Sequence, residues 1–324
     1  MGERLGEGLV DFLKKAGMFV LTLLVISILT FILVQLSPGD PAVNYLRASH
    51  VAVTEETLSK ARLELGLDKP VTQQYIDWLS SAIRGDLGRS YLKKAPVKEV
   101  IFSAVIPTFQ LGALSFGALL VLSLTLGIAG ALYHGRIIDY AVQAFSFICA
   151  SIPIFWLGYM LIIYFSVTLK WLPVSGRGDM RHFILPCLTL ITPLVGQTSL
   201  LIRKSVMEQM SQPHARNAVL RGVDKRYIVF NHLLRNSAIP IVTVLSSNIL
   251  YLITGSVLIE EVFSWPGVGK MFVSAVQGGD LPLIQGSLLL FGILSITINS
   301  LTQFAVHRLD PHLKLRNRGV SLEE

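Results

Sequence analysis

The side chains able to do chemistry in this 324-residue chain are few and poorly spaced for catalysis. Histidines stand at His50, His134, His182, His214, His232, His307 and His312, and none pairs with another at ligand spacing inside an apolar run, so no metal site is expected there. A hydrolase would need HExxH or a serine and histidine sharing an apolar run; both are absent, and Gly278-Gly279-Asp280 offers a single aspartate. GxxxxGK[ST] is missing too, because Gly269-Lys270-Met271 lacks the upstream spacing and the hydroxyl, so the chain is expected neither to hold a nucleotide nor to be an enzyme. Cys149 and Cys187 both fall in apolar runs, form no CxxC, and read as small buried hydrophobes. What remains is polarity without acid–base character. Ser247, Asn248, Tyr251, Thr254 and Gly255 recur at helical steps, as do Ser295, Asn299, Thr302 and Gln303, with a shorter face of Thr192, Gly196 and Gln197. Such stripes either line a wet path or act as packing glue between helices.

The elements carrying them are apolar. Hydrophobic residues make up 52% and charged residues 15%, with mean hydropathy +0.59. About 25% charged is usual for a water-facing surface, so an ordinary soluble enzyme and a disordered chain are both excluded. Six uncharged, histidine-free runs cover 16–39, 100–133, 140–169, 183–202, 236–259 and 281–306. Each reaches the roughly 20 residues a crossing helix needs. The chain thus reads as an all-α polytopic membrane protein with six transmembrane helices and a small helical insert. The two longest runs are expected to hold one helix each plus a buried flank, with Pro107 in the first turn of the second helix. No cleavable signal peptide is expected, since 35–40 offers no small-x-small site.

Lysine and arginine set the orientation. Segments 1–15, 134–139, 203–235 and 307–324 hold 3, 1, 7 and 4 of them, against 3 and 1 in 170–182 and 260–280. Both termini and the 203–235 loop are therefore expected in the cytoplasm. The net charge of +7 reflects that topology, not nucleic acid. No ionisable group lies within the six runs, whereas carriers driven by an ion gradient usually keep one, so energy is expected to come from another subunit.

Residues 40–99 read as an extracytoplasmic insert, either scaffold or docking surface. Thr54 should cap one helix ended by Gly66, and a second should run over 73–83 with Tyr75, Trp78, Leu79 and Ala82 on one face. The basic loop should form two helices, 204–211 and 214–220, broken at Pro213 and stopped by Gly222, with Arg221, Lys225 and Arg226 at the end that favours cations. It reads equally as a part that fits a cytosolic partner or as a lipid-headgroup anchor. In 260–280, Pro266, Gly267 and Gly269 should force an irregular turn, with Phe263 and Trp265 as interfacial anchors and Glu260 and Glu261 as solvated helix-end acids.

Five strings add a resemblance. Ala218-x-x-x-Gly222 followed by Leu233-Leu234-Arg235-Asn236-Ser237-Ala238-Ile239-Pro240 is similar to the EAA loop of ABC importer permeases. Ser37-Pro38-Gly39-Asp40-Pro41, Leu65-Gly66-Leu67-Asp68-Lys69-Pro70, Gly85-Asp86-Leu87-Gly88-Arg89-Ser90-Tyr91, and Glu261-Val262-Phe263-Ser264-Trp265-Pro266-Gly267-Val268-Gly269 with Asp280-Leu281-Pro282 appear in the family's order. Over roughly residues 14–313 the chain resembles the peptide/nickel subfamily of type I importer permeases. Two departures stand: the family's acidic position aligns with Arg216 and its first alanine with Asn217. The resemblance implies the type I permease fold in a bacterial inner membrane, with residues 100–306 as a five-helix core. It implies a second homologous permease, two cytosolic ATPase subunits holding ATP and magnesium, and an extracytoplasmic solute-binding protein. It also assigns roles: ATPase coupling to His214, Arg216, Ala218, Arg221 and Gly222, the translocation path to Ser247, Asn248, Tyr251, Thr254 and Asn299, and the binding-protein side to Glu261, Trp265, Gly267 and Asp280. Residues 44–49 and 54–70 look more like nickel and metal-opine permeases than dipeptide ones, so nickel or a metal chelate is the expected solute, with a dipeptide or oligopeptide as the alternative and a non-transport membrane assembly protein as the remote one.

Overall fold

The computed structural model describes residues 2–36, 39–224 and 227–309, and regular structure among them is helical. In chain order the helices are α1 (Gly2–Gln35), α2 (Pro41–Ala48), α3 (Glu55–Glu64), α4 (Val71–Ile83), α5 (Val97–Leu132), α6 (Ile137–Ser151) and α7 (Ile154–Leu161). There follow α8 (Arg181–Met210), α9 (Pro213–Leu220), α10 (Ala238–Thr254), α11 (Ser256–Val262), α12 (Val268–Gly278) and α13 (Leu281–Leu309). Wider π-helical turns extend α7 over Ile162–Thr168 and precede α10 over Ile228–Leu234. Ser37, Pro38, Lys225, Arg226 and the tail beyond residue 309, all used in the sequence reading, lie outside the described residues.

The chain divides into two compact units, Met1–Pro107 with Pro266–Ile296, and Thr108–Trp265 with Thr297–Glu324. In the first, the insert is fastened to α1 by aromatic packing: Phe31 meets Tyr75 edge-on at 5.4 Å and Trp78 at 6.1 Å, while Ser27 Oγ shares a 2.8 Å hydrogen bond with the Tyr75 hydroxyl. Thr54 caps α3 as expected from its type, accepting from Thr57 N at 3.2 Å. The sequence reading missed α2. Asp40 caps it, accepting from Ala42 N at 2.9 Å, and Pro41 occupies the first turn, where its missing N–H costs nothing. Arg62 then binds Asp40 at 2.6 Å and holds its carboxyl below the usual carboxylate range. Ala42, Leu46 and Ala61 form the small core beneath.

The second unit is built on α8, whose buried face carries Leu185, Leu190, Ile191, Leu194 and Val195. Three expectations about helix limits are corrected. The 140–169 run is not one helix: α6 and α7 meet at 99°, because Pro153 cannot donate to the ladder and Ile152 ahead of it is pushed to extended backbone. Pro107 does not open the second span, since α5 begins at Val97 and carries that proline internally. The segment 204–211 is not a separate helix but the end of α8, which reaches Met210.

Of the two roles the sequence leaves open for Gly196, path or packing, the structure favours packing. A Cβ there would stand 2.4 Å from the Ser146 carbonyl oxygen and 3.1 Å from Ala150 N, so α8 and α6 touch backbone to backbone. Gly196→Val is expected to destabilise the fold by about 3 kcal/mol, at the upper end of overpacking costs, because the obstacle is backbone that cannot repack. The yield of monodisperse protein in detergent measures this, and wild-type yield would refute the close approach.

Candidate functional site

On α10 the structure separates the residues that the sequence grouped. Thr243, Ser247, Tyr251 and Thr254 share one face, within 80° of one another at 100° per residue. Thr243 and Ser247 are exposed, Tyr251 is 38% exposed and Thr254 is half-buried. The hydroxyls of Thr243, Ser247 and Thr254 donate to carbonyls one turn back, at 2.9, 3.1 and 2.9 Å. Such donation quiets the O–H and leaves oxygen lone pairs to face outward. Asn248 turns away: it is 7% exposed and its Nδ2 donates to Thr198 Oγ1 on α8 at 2.8 Å. That contact ties two helices together, as polar residues between apolar helices do. Asn299 on α13 is exposed. The run expected to continue to 259 breaks at Gly255, after which α11 begins.

The basic loop has two opposite faces. Ala215 and Ala218 are buried, in a cluster with Ile228, Val229 and Leu233. His214, Arg216, Asn217, Leu220 and Arg221 are exposed, Leu220 at 85%. His214 Nε2 lies 3.0 Å from Asn236 Nδ2, clipping the start of α9 to the foot of α10. Ser237 Oγ donates to the Ser205 carbonyl at 3.1 Å, holding α10 to the end of α8. Gly222 has φ +72, and a Cβ added there would meet nothing within 4 Å, so backbone conformation alone dictates glycine. Gly222→Val is therefore expected to destabilise the loop by about 1–2 kcal/mol, whereas Gly222→Asn, which tolerates left-handed backbone, should cost much less. Limited proteolysis between α9 and the following π-helical turn reads this, and equal protection of both variants would refute it. Sequence reasoning missed Leu220, Tyr227 and Phe230, all exposed and apolar. The signal was present: the buried alanines at 215 and 218 leave 216, 217 and 220 on the opposite side of one short helix.

Between 260 and 280 the expectation of solvated acids and surface anchors fails in part. Glu260 is fully buried, its Oε1 accepting from Thr108 Oγ1 at 2.7 Å and from Ser256 Oγ at 3.0 Å. Glu261 is exposed. Phe263 and Trp265 are core residues, 1% and 0% exposed, and Trp265 stacks edge-on against Phe183 at 4.6 Å. The turn that permits this puts Ser264 at φ +50, with Trp265 N donating to the Glu260 carbonyl at 2.7 Å. Gly267, also buried, leads into α12. Within the first unit, Asp280 is buried as well. Ser90 Oγ donates to its Oδ2 at 2.5 Å, as does Leu92 N at 3.1 Å, and its Oδ1 accepts from Leu283 N at 3.3 Å. Burial, with this carboxylate nearby, pushes the Tyr91 phenol well above its ordinary value. Asp280 thus joins the 85–91 string to the start of α13.

Comparison with known proteins agrees with this architecture. The chain is 33% identical to a Sinorhizobium fredii protein named "Probable peptide ABC transporter permease protein", over 94% of this chain and 99% of that one. It is 34% identical to the "Glutathione transport system permease protein GsiC" of Escherichia coli O6:H1, over 94% and 98%. One of these relatives is named for peptide and the other for glutathione transport, and neither name mentions nickel or a metal. An inward-facing structure of the MetNI methionine ABC transporter aligns with TM-score 0.56 at 18% identity, covering 65% of this chain and 96% of that one, a likeness of fold. The family described as "Binding-protein-dependent transport system inner membrane component" matches residues 123–315 and its N-terminal companion matches 9–111, so the chain belongs to that family of ABC importer permeases.

Proposed function

We propose that this chain is one half of the membrane path of an ATP-driven importer of small peptides. A binding protein delivers the peptide to the outer mouth, and a second, homologous permease completes the path as a heterodimer. Two cytosolic ATPase subunits, which hold the ATP and magnesium, close against α9 and drive alternating access. The chain itself binds no cofactor. Both termini and the basic loop face the cytoplasm, in a bacterial inner membrane.

The observation that carries this reading is the two-faced α9. Its alanines are buried in the permease body while Arg216, Asn217, Leu220 and Arg221 point outward. Leu220, 85% exposed and next in the chain to Arg221, offers an apolar anchor within a polar rim, which is how contacts with a groove on a protein partner gain energy. Peptide as solute class rests on relatives named for peptide and glutathione transport at one-third identity along nearly the whole chain. The face of Thr243, Ser247, Tyr251 and Thr254 supports a path of hydroxyls, which can pair with a peptide's amides in passing without binding it tightly.

Uptake into vesicles carrying the complete complex tests this. Labelled di- and tripeptides should accumulate with ATP and binding protein present, and a nickel chelate in excess should not compete. Accumulation without ATP, or nickel uptake unaffected by peptides, would refute the reading.

A further inference from the structure

We propose that Asp139 and Arg203 form the fastening through which movement of α9 is carried into the bent helix pair α6 and α7. Asp139 lies in the first turn of α6 and is 1% exposed. The guanidinium of Arg203, on α8, grips its carboxylate with both arms: Nε donates to Oδ1 at 2.5 Å and Nη2 to Oδ2 at 2.8 Å. Gly135 N donates to Oδ2 at 3.0 Å, Gln143 Nε2 donates to Oδ1 at 3.0 Å, and His134 Nδ1 lies 3.0 Å from Oδ2. The alkyl stem of Arg203 is wedged too, since a Cβ on Gly130 of α5 would stand 3.2 Å from its Cδ. One side chain therefore ties α5, α6 and α8 together.

The role of such a pair is register more than stability. Desolvation of two charges offsets most of their attraction, so apolar packing would hold these helices as well. A forked guanidinium on a carboxylate, however, accepts a single relative orientation. The helix it fixes is continuous from Arg181 to Met210, with only Ser211 and Gln212 between it and α9. Arg203 stands seven residues before that end, about two turns. Displacement of α9 thus arrives at Arg203 along an unbroken helix. On the far side of the pair, α6 runs to Ser151 and turns through 99° at Ile152 and Pro153, where the backbone ladder is already interrupted. A pull on the foot of α6 can change that angle more easily than it can bend an intact helix.

This inference rests on the importer reading. The test uses the assembled complex in vesicles with Asp139→Asn, which keeps the shape but drops the charge, and Arg203→Lys, which keeps the charge but drops the fork. Two quantities are read: peptide moved per ATP hydrolysed, and the nucleotide-dependent change in distance between spin labels at Asn217 on α9 and Phe147 on α6. In the wild type that distance should stay fixed through the cycle. Both variants should lower the transport ratio about tenfold, within the range of ordinary coupling energies, and the label distance should begin to vary with nucleotide. Variants with a wild-type ratio and a fixed distance would overturn the fastening, as would losses explained wholly by fewer assembled complexes. A wild-type complex that moves no peptide with ATP would overturn the importer reading and the fastening together.

Discussion

Leu220→Asp is expected to cut ATP-driven uptake roughly thirtyfold while leaving the permease folded. The factor follows from a hot-spot loss of about 2 kcal/mol at 1.4 kcal/mol per decade. Leu220 is 85% exposed at the end of α9, so aspartate there displaces nothing within this chain. Surface substitutions of that kind usually stay within about 0.5 kcal/mol of the parent. In a partner's groove the same change buries an unpaired carboxylate, which is costly. Ala218→Asp makes the contrast. Ala218 is 7% exposed against Ile228 and Leu233, so the charge would enter the permease body itself and the chain should fail to accumulate. Co-purification of the ATPase with tagged chain, beside uptake, separates the two. If the Leu220 variant retains its ATPase and transports normally, α9 is not the docking element, and a membrane-surface role for its basic residues becomes the better account.

How much of this was legible from sequence depended on the range of the forces involved. Hydropathy and charge act over whole helices, so the apolar runs, the basic loop and the insert could be read directly. Caps act over three or four residues, and Thr54, or Pro213 with Gly222, follow from residue type alone. Asp40, followed at once by Pro41, is a cap signal of the same local kind, and it opens α2. The losses came where side chains meet across long separations. Nothing local to Glu260 announces Thr108, 152 residues away, so an acid at a helix end looked solvated. Trp265 seemed an interfacial anchor because aromatic residues collect at membrane surfaces, yet Phe183 covers it. The same limit hid Asp139 and Arg203, 64 residues apart, and split the α10 stripe, since only the position of Thr198 shows that Asn248 faces inward.

Asp280→Ala should be the most damaging single change in the first unit, costing about 3–5 kcal/mol. The carboxylate does three jobs from one buried position. It caps α13 through Leu283 N, a role worth about 1 kcal/mol. It also accepts from Ser90 Oγ and Leu92 N, and each buried donor left without a partner costs about 1–3 kcal/mol. Asp280→Asn divides these terms. An asparagine can keep the cap with its oxygen but must turn an N–H2 toward the Leu92 N–H, two donors facing each other, so it should fall between wild type and alanine. Ser90→Ala should cost least: it takes one donor from the carboxylate and the acceptor from Lys93 N, 2.9 Å away, but leaves Leu92 N and Leu283 N paired with Asp280. The order Ser90→Ala, Asp280→Asn, Asp280→Ala in loss of folded protein, followed by protease cleavage within the 85–95 segment, is the expected pattern. An aspartate whose work was to contact the binding protein would give the opposite: intact, protease-resistant variants that lose only the stimulation by that protein. The burial of Asp280 beneath Ser90 and Leu92 argues for the structural outcome, because a group with no exposed surface cannot meet a partner until the insert moves off it.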